Sequence, residues 1–405
     1  MDASSQSGLT FSGLGIAPRL LDVLDKLRYV TPTPIQRQAI PLALEGSDVV
    51  GIAQTGTGKT LAFGIPMIQR LASAKGRGLI LLPTRELALQ VDESLRKVAS
   101  SFGLRTAVLI GGLSLKPQVE AVRRNPHIII ATPGRLNDHL QQRTVRLDQV
   151  TILVLDEADR MLDMGFLPQI RKILQVVPRD RQTMLFSATI SREIMSIASA
   201  QMKLPIRVEV APTGTTVDRV TQEIFVVAKD AKMRLLEKVL GQYVGSTLIF
   251  TRTKHGARRV ARAIQVMGHS VAEIHSNRSL SQRRAALGGF KTGTYRILVA
   301  TDIVARGIDV SGIELVINYD LPEQSEDYVH RIGRTARAGR DGRAISFATP
   351  EERGDIRAIE RLIRKTLRVY PLPELPPARE LPHPAPRQGF SRPRQPNPRK
   401  SYRRR

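Results

Sequence analysis

Two periods of apolar residues alternate along most of this chain. From about Asp48 to Val210, short apolar runs at Asp48–Ala53, Gly78–Leu82, Arg105–Ile110, His127–Ala131, Thr151–Leu155 and Thr183–Phe186 are separated by stretches with helical spacing, the first from about Lys59. Continuous rather than alternating apolar runs predict strands buried on both faces, and intervening helices predict a parallel sheet. The rhythm then restarts. New runs fall at Glu223–Val227, Thr247–Phe250, Val271–Ile274, Arg296–Val299, Leu315–Asn318 and Ala344–Phe347, with helical patterns such as Thr253–Met267 and Glu351–Leu367 between them. The expectation is an α/β chain with two parallel-sheet domains in tandem, at residues 1–210 and 220–370, joined by a small, polar Pro/Gly linker at 211–219.

The last segment breaks the pattern. Residues 371–405 hold ten prolines and nine Lys/Arg against two Glu, a charge of +7. Such a composition cannot bury a core and predicts a disordered basic tail. The whole chain carries +25, so +18 belongs to the domains. A field of that size attracts polyanions, and nucleic acid is the first expectation. The absence of cysteine excludes disulfides, thiolate zinc sites and cysteine nucleophiles, and fits a reducing compartment. No run of about 18 apolar residues occurs, which excludes a spanning helix. The start, Met1 to Gly8, is polar and unlike a signal peptide. The simplest expected address is the cytoplasm, with no membrane partner.

Candidate chemistry sharpens the picture. Ala53-Gln-Thr55-Gly56-Thr57-Gly58-Lys59-Thr60 follows an expected strand and opens an expected helix, the setting of a phosphate-binding loop. Glycines let backbone N–H groups curl round an anion, and the helix N-terminus adds partial positive charge. Lys59 then reaches the terminal phosphates and the Thr60 hydroxyl holds Mg²⁺. Leu155-Asp156-Glu157-Ala158-Asp159 ends a later strand, on the side of the sheet where ligands gather. Asp156 is the candidate Mg²⁺ ligand through water, and Glu157 the group that orients and deprotonates an attacking water. An acidic helix start is the competing reading of these carboxylates.

The literal residues Asp156-Glu157-Ala158-Asp159, downstream of that loop, make the chain resemble the DEAD-box RNA helicases over about residues 9 to 368. The resemblance implies RecA-like domains, ATP and Mg²⁺ as cofactors, and RNA as the partner. Thr31-Pro-Thr-Pro-Ile-Gln36 looks like the family's glutamine motif, which implies that Gln36 reads adenine and that Phe11 packs on the base. Pro83-Thr84-Arg85-Glu86-Leu87-Ala88, Gly111-Gly112 and Thr132-Pro133-Gly134-Arg135 match elements that grip the RNA backbone. Ser187-Ala188-Thr189 matches the element whose hydroxyls, with His330, couple the carboxylate motif to the second domain.

In the second half, Thr251 and Arg252 match RNA-contact positions, as do Thr301 and Asp302, while Asp309 falls where the family touches the ribose. His330-Arg331-Ile-Gly333-Arg334-Thr-Ala-Arg337 looks like the arginine-finger element, with Arg334 and Arg337 neutralising charge on the γ-phosphoryl group. The family's Gln-x-x-Arg element falls on Leu280 and Arg283, so Arg283 keeps its expected RNA contact while Leu280 cannot hydrogen-bond. The stretch Asp159–Phe166 is most similar to the bacterial RhlE-like branch.

These residues imply an ATP-dependent RNA helicase that couples hydrolysis to local, non-processive unwinding or remodelling of RNA–protein complexes. It would grip single strands and short duplexes by their backbone. Two other readings stand beside it, a phosphate-loop ATPase acting on DNA and an RNA clamp or annealing chaperone with ATP-regulated binding. Ribosome assembly, messenger decay and cold adaptation are the family roles left open, with ribosomal or RNA-decay proteins as the candidate protein partners.

Overall fold

The computed structural model describes residues 10–53, 56–210, 220–302, 313–336 and 341–377. The expected linker, Thr55, Asp309, Arg337 and the tail from residue 378 lie outside the described residues.

Runs such as Ile128–Ala131 and Leu153–Leu155 have no polar side to offer water, so they become interior strands with helices on both faces. The first sheet contains β1 (Val49–Ile52), β2 (Arg77–Leu81), β3 (Thr106–Leu109), β4 (Ile128–Ala131), β5 (Val150–Leu155), β6 (Gln182–Ser187) and β7 (Ile206–Glu209). The second contains β8 (Val220–Val226), β9 (Thr247–Phe250), β10 (Val271–Ile274), β11 (Ile297–Ala300), β12 (Leu315–Asn318), β13 (Gly342–Ala348) and β14 (Val369–Tyr370). Their orders are β3-β4-β2-β5-β6-β1-β7 and β10-β11-β9-β12-β13-β8-β14, and every strand pair is parallel. Seven places along the chain, the second order repeats the first. Two copies of one architecture are thus present without a short sequence repeat.

Twelve strands coincide with the expected runs to within a few residues. The two that sequence reading missed, β7 and β14, are both sheet edges. The strand β7 is mostly exposed and β14 has two residues, so neither carries a buried apolar run. The last long helix, Arg353–Ile363, stops at Arg364, whose φ of 53° turns the chain out of the helix earlier than its apolar spacing suggested. The expected tail also starts later than expected. Arg234 Nε donates to the Pro376 carbonyl at 2.6 Å and Leu375 packs against the second core, which anchors residues 371–377.

One contact fixes the helix that carries the phosphate loop. Gly51 on β1 lies beside Phe186 on β6, and the Phe186 ring folds across it. A Cβ at position 51 would stand 2.5 Å from that ring. The ring also meets Phe63, on helix Lys59–Ser73, at 5.6 Å between centroids. No helix among the described residues is long and apolar enough to cross a membrane.

Gly51→Ala is therefore expected to lower stability by about 1–3 kcal/mol through overpacking. Its loss should shrink when Phe186→Leu is already present, because the smaller side chain vacates the contact. Urea unfolding of the two single variants and the double variant measures this. Simple additivity would mean that the ring and the glycine do not interact.

Candidate functional site

The chain leaves β1 at Ile52 and enters helix Lys59–Ser73 through Gly56 and Gly58, with φ of 85° and 92°. Side chains rarely adopt that left-handed backbone. Gly58 also has no room for one, since a Cβ would lie 2.5 Å from Gln36 Nε2. Gln36 is buried, its Nε2 donates to the Gly58 carbonyl at 3.0 Å, and its Oε1 accepts from the Thr33 N–H at 2.9 Å. The glutamine thus braces the phosphate loop directly. Phe11 lies in a short 3-10 turn and is buried in the first domain's core. Thr57 and Thr60 remain half-buried at the loop.

Lys59 is buried, and its Nζ has no hydrogen-bond partner among the described residues; the Asp156 Oδ1 carboxylate oxygen is 3.8 Å away. An ammonium in that state is poised for an anion. Asp156 and Glu157 leave the end of β5, both buried. Burial pushes the Asp156 carboxyl up to about 6 against the pull of Lys59, while Glu157 nearby pushes it further up. Burial acts the same way on Glu157, but Lys59, Arg160, Arg334 and His330 together outweigh it and hold that carboxyl at about 2. Two adjacent carboxylates therefore differ widely in proton affinity. Glu157 has φ 52° and ψ 51°, an unusual backbone for a side chain of its size.

Asp159 ties this acidic turn to β6. Its Oδ2 accepts from the Ala188 N–H at 2.9 Å, the Thr189 N–H at 3.0 Å and the Thr189 hydroxyl at 3.2 Å. Ser187 Oγ accepts from the Asp159 N–H at 3.3 Å. A small pocket is lined by Lys59, Glu157, Asp159 and Arg160 from the first half and by His330 and Arg334 from the second. Arg334 is buried and donates through Nε to the His330 carbonyl at 3.1 Å. Among the described residues no cluster of three or more His, Asp or Glu could hold a metal. One carboxylate and one hydroxyl, Asp156 and Thr60, nonetheless suit Mg²⁺, which keeps most of its water and takes the remaining oxygens from phosphates.

The residues expected on RNA divide. Arg85 packs over Gly111 and Gly112, and a Cβ on Gly112 would collide with its guanidinium. Burial, with Arg283 and Arg135 close by, pulls the Arg85 guanidinium below its ordinary value, so three arginines converge on this rim. Arg135 donates to the Leu113 carbonyl at 3.0 Å, and Gly134, behind Pro133 at the start of helix Pro133–Gln141, faces open space. Thr84 is buried and caps helix Arg85–Ala99, accepting from the Leu87 N–H at 3.4 Å. Thr132 is buried too. On the second half, Arg252 is exposed and pairs with Glu352 at 2.9 Å.

Four of the residues expected on RNA are buried or already paired. Thr251 is fully buried and its hydroxyl bonds the Thr253 carbonyl at 3.3 Å. Thr301 is buried in the same layer. Asp302 is clamped by Arg331 at 2.6 and 2.7 Å, and a carboxylate so placed does not seek phosphate. Arg283 is buried and pairs across the two halves with Glu86 at 3.0 Å. Leu280, one turn earlier, belongs to the apolar cluster of the first domain, not of its own. The Gln-x-x-Arg equivalent is therefore a seam between domains.

Sequence reading gave no role to Arg160, Arg331 or Glu86. Arg160 pairs with Glu157 at 3.4 Å. Arg331 is buried over Phe250, and holds Asp302, Asn318 and the Asp320 carbonyl. The one signal was position, three residues after Glu157 and beside His330. Glu86 stood inside a matched element, but nothing in the sequence marked it as the partner of Arg283.

Comparison with known proteins agrees with this geometry. A family model described as DEAD/DEAH box helicase matches residues 33–197, and one described as helicase conserved C-terminal domain matches residues 231–339. The ATP-dependent rRNA helicase RRP3 of Debaryomyces hansenii is 42% identical over 368 residues, covering 90% of this chain and 77% of that protein. The corresponding protein of Sclerotinia sclerotiorum is 45% identical over 345 residues, covering 84% and 72%. Among solved structures, S. cerevisiae Dbp5 bound to RNA and ADP BeF3 aligns with a TM-score of 0.79 at 30% identity, covering 89% of this chain and 95% of that one. The DEAD-box helicase Mss116 bound to ssRNA and UDP-BeF aligns with a TM-score of 0.83 at 26% identity, covering 91% and 81%. These relatives give no support to the narrower likeness to the bacterial RhlE-like branch.

Two predictions follow from the geometry. Asp156 stands at about 6 in the folded chain against its ordinary 3.8. Its charge therefore opposes folding above pH 6, and that opposition fades as pH falls towards 3.8. Asp156→Asn should raise the Tm of the nucleotide-free protein at pH 7.5, with the gap closing between pH 6 and 4; a gap independent of pH would overturn the assignment. Arg283→Ala strands the buried Glu86 carboxylate at the seam. Because the chain has no cysteine, Lys97→Cys and Arg361→Cys accept a dye pair cleanly. Energy transfer between the dyes should report less closed form by roughly tenfold or more, the scale of breaking a buried ion pair. An unchanged transfer histogram would remove Arg283 from the seam.

Proposed function

The chain belongs to the DEAD/DEAH box helicase family, and we propose that it is an RNA-stimulated ATPase whose two domains close around ATP and RNA together. The observation that carries this reading is the single pocket where Lys59 and Glu157 of one half meet His330 and Arg334 of the other. Neither half holds a full set.

In this reading the loop from Thr55 to Thr60 wraps the phosphates, with Gly56, Thr57 and Gly58 supplying backbone N–H groups and Lys59 supplying charge. Asp156 and Thr60 would hold Mg²⁺, which would supply charge against the phosphates. The low proton affinity of Glu157 keeps it ionised, so it accepts a hydrogen bond from the attacking water and orients it. Incoming phosphates offset Lys59 and Arg334, the groups that hold Glu157 down. Its basicity therefore rises when substrate is present, which suits a proton acceptor. Arg334, and by the family's pattern Arg337, neutralise the γ-phosphoryl oxygens. Gln36 and Phe11 serve the adenine side, with Asp309 on the ribose.

RNA is gripped by its backbone along the rim formed by Pro83, Arg85, Gly111, Gly112, Gly134 and Arg135, with Arg252 opposite. Such contacts position a strand without reading bases. Asp159 with Ser187 and Thr189 transmits the state of the acidic turn to the domain seam, where His330 sits. Closure brings Arg283 to Glu86 and Leu280 onto the first core. Any ligand that favours closure then favours the other, which makes RNA and ATP mutually cooperative. Local unwinding follows where the closed rim holds one strand. The names of the fungal relatives make ribosomal RNA the first substrate to test, and the cysteine-free composition supports a cytoplasmic address.

Single-stranded RNA is expected to raise ATP turnover of the purified chain, and Glu157→Gln to lower the stimulated rate by roughly 10²–10⁴, the worth of a positioned base. Arg337→Ala should lower it by about 10³ or more, as for arginine fingers. Steady-state hydrolysis with RNA and DNA in parallel checks all three. Equal stimulation by DNA would sink the RNA assignment, and an active Glu157→Gln variant would sink the base.

A further inference from the structure

The second sheet ends on an open strand. β10 pairs with β11 alone. Its Ser270 and Ile274 carbonyls accept from Ile297 and Thr301 of the β11 side. With a period of two, the main-chain groups of Val271 and Glu273 face away from the sheet. None of the turn and loop bonds among the described residues uses them. Unpaired edge groups of this kind accept a further strand unless a protein blunts them.

This edge forms the floor of a groove of about 540 Å³. Helix Lys254–Val266 forms one wall and the start of helix Leu280–Lys291 the other, with Tyr295 at one end. The groove is basic. Arg258 and Arg262 are exposed along the first wall, one turn apart, and neither forms an ion pair among the described residues. Helix Lys254–Val266 has no acidic residue at all. Arg278 joins them. The one carboxylate present, Glu273, is occupied by Arg278 and faces His275 Nε2 at 3.6 Å. Val271 and Ala272 supply apolar floor between the charges.

We propose that the β10 edge is the docking site of an extended acidic segment of a partner protein. The segment adds to the sheet as a strand beside β10 and sets its carboxylates on Arg258 and Arg262. Main-chain bonds to an open edge give affinity and side-chain pockets give preference in this mode of recognition. The occupant is not the chain's own tail, whose charge of +7 has the sign of the groove. A peptide fits better than RNA because Val271 and Glu273 present both N–H and C=O groups, and a phosphate backbone only accepts. The site is separate from the ATP pocket and from the rim that carries Arg85 and Arg135.

The test uses the full chain and a fluorescein-labelled peptide of four Glu-Val repeats, read by anisotropy. Binding is expected with a Kd below about 1 mM. A version N-methylated at alternate residues should lose it, since its main chain cannot pair. Arg258→Glu with Arg262→Glu should weaken binding at least tenfold. Val271→Pro removes one outward N–H at a position where edge strands tolerate proline, and should weaken binding severalfold. RNA-stimulated ATP turnover should be unchanged in both variants, which reports intact folding. Amide exchange at Val271 and Glu273 should slow when the peptide binds. No binding, binding that survives N-methylation, or binding indifferent to the charge reversal overturns the proposal. So does an eight-residue oligouridylate that displaces the peptide and protects the same two amides, an outcome that makes the groove an RNA path.

Discussion

A buried ammonium without a hydrogen-bond partner is the constraint on which the rest of this structure hangs. Lys59 lies inside the protein with Asp156 at 3.8 Å and the nearby charge of Glu157 to answer its own. Holding it there is unfavourable, and the surroundings determine what relieves it. Asp156 is itself raised to about 6 by burial, so it loses its charge, and with it its hold on Lys59, as pH falls through that value. Glu157 is fully ionised and shared among several cations. The site therefore has positive charge to spare at the loop, close to a carboxylate held ready. That is the electrostatic shape of a place awaiting a polyphosphate and a water molecule.

The sheets supply the rigidity that such a cluster needs. Each functional turn leaves the carboxyl end of a strand: the phosphate loop after β1, the acidic turn after β5, the Ser187–Thr189 segment after β6. The strands β5, β6 and β1 are neighbours in the order β5-β6-β1, which places the three turns side by side. Parallel strands guarantee that they emerge at the same end. In the second half, His330 and Arg334 come instead from the end of helix Ser325–Ile332, which follows β12, and face the first half's turns in one pocket.

How much of this was legible depended on what each position had to satisfy. Interior strands were readable because burial on both faces forces continuous apolar runs, and β4, with Ile128, Ile129 and Ile130, permits no other reading. The edges β7 and β14 were not, because an edge strand needs little apolar surface. In the site, Lys59, Glu157 and Arg334 line one pocket, with Asp156 beside Lys59 and Gln36 bracing the phosphate loop. Thr251, Thr301, Asp302 and Arg283 did not behave as a surface, because a motif says which residues recur and not which way they turn. Thr251 is consumed by its own turn, and Asp302 by Arg331. The partners of Glu86 and Arg160 were invisible for a related reason. Their work is to meet a charge that arrives from elsewhere in the fold, and no local spacing encodes that meeting.

The basic character of the chain also changes meaning with depth. Arg77, Arg160, Arg283, Arg331 and Arg334 are all buried, and Arg160, Arg283 and Arg331 are matched to Glu157, Glu86 and Asp302. Matched pairs contribute little field at a distance, so the net +25 must be felt mainly from exposed side chains. Long-range attraction of a polyanion and short-range closure of the domains are then served by different arginines. The first weakens with salt over a Debye length of roughly 8–10 Å. The second, desolvated and joined by the apolar contact of Leu280, is much less exposed to screening. Where the family's pattern places a polar residue, this chain has leucine, so part of its seam is held by exclusion of water instead of by a contact that salt could loosen.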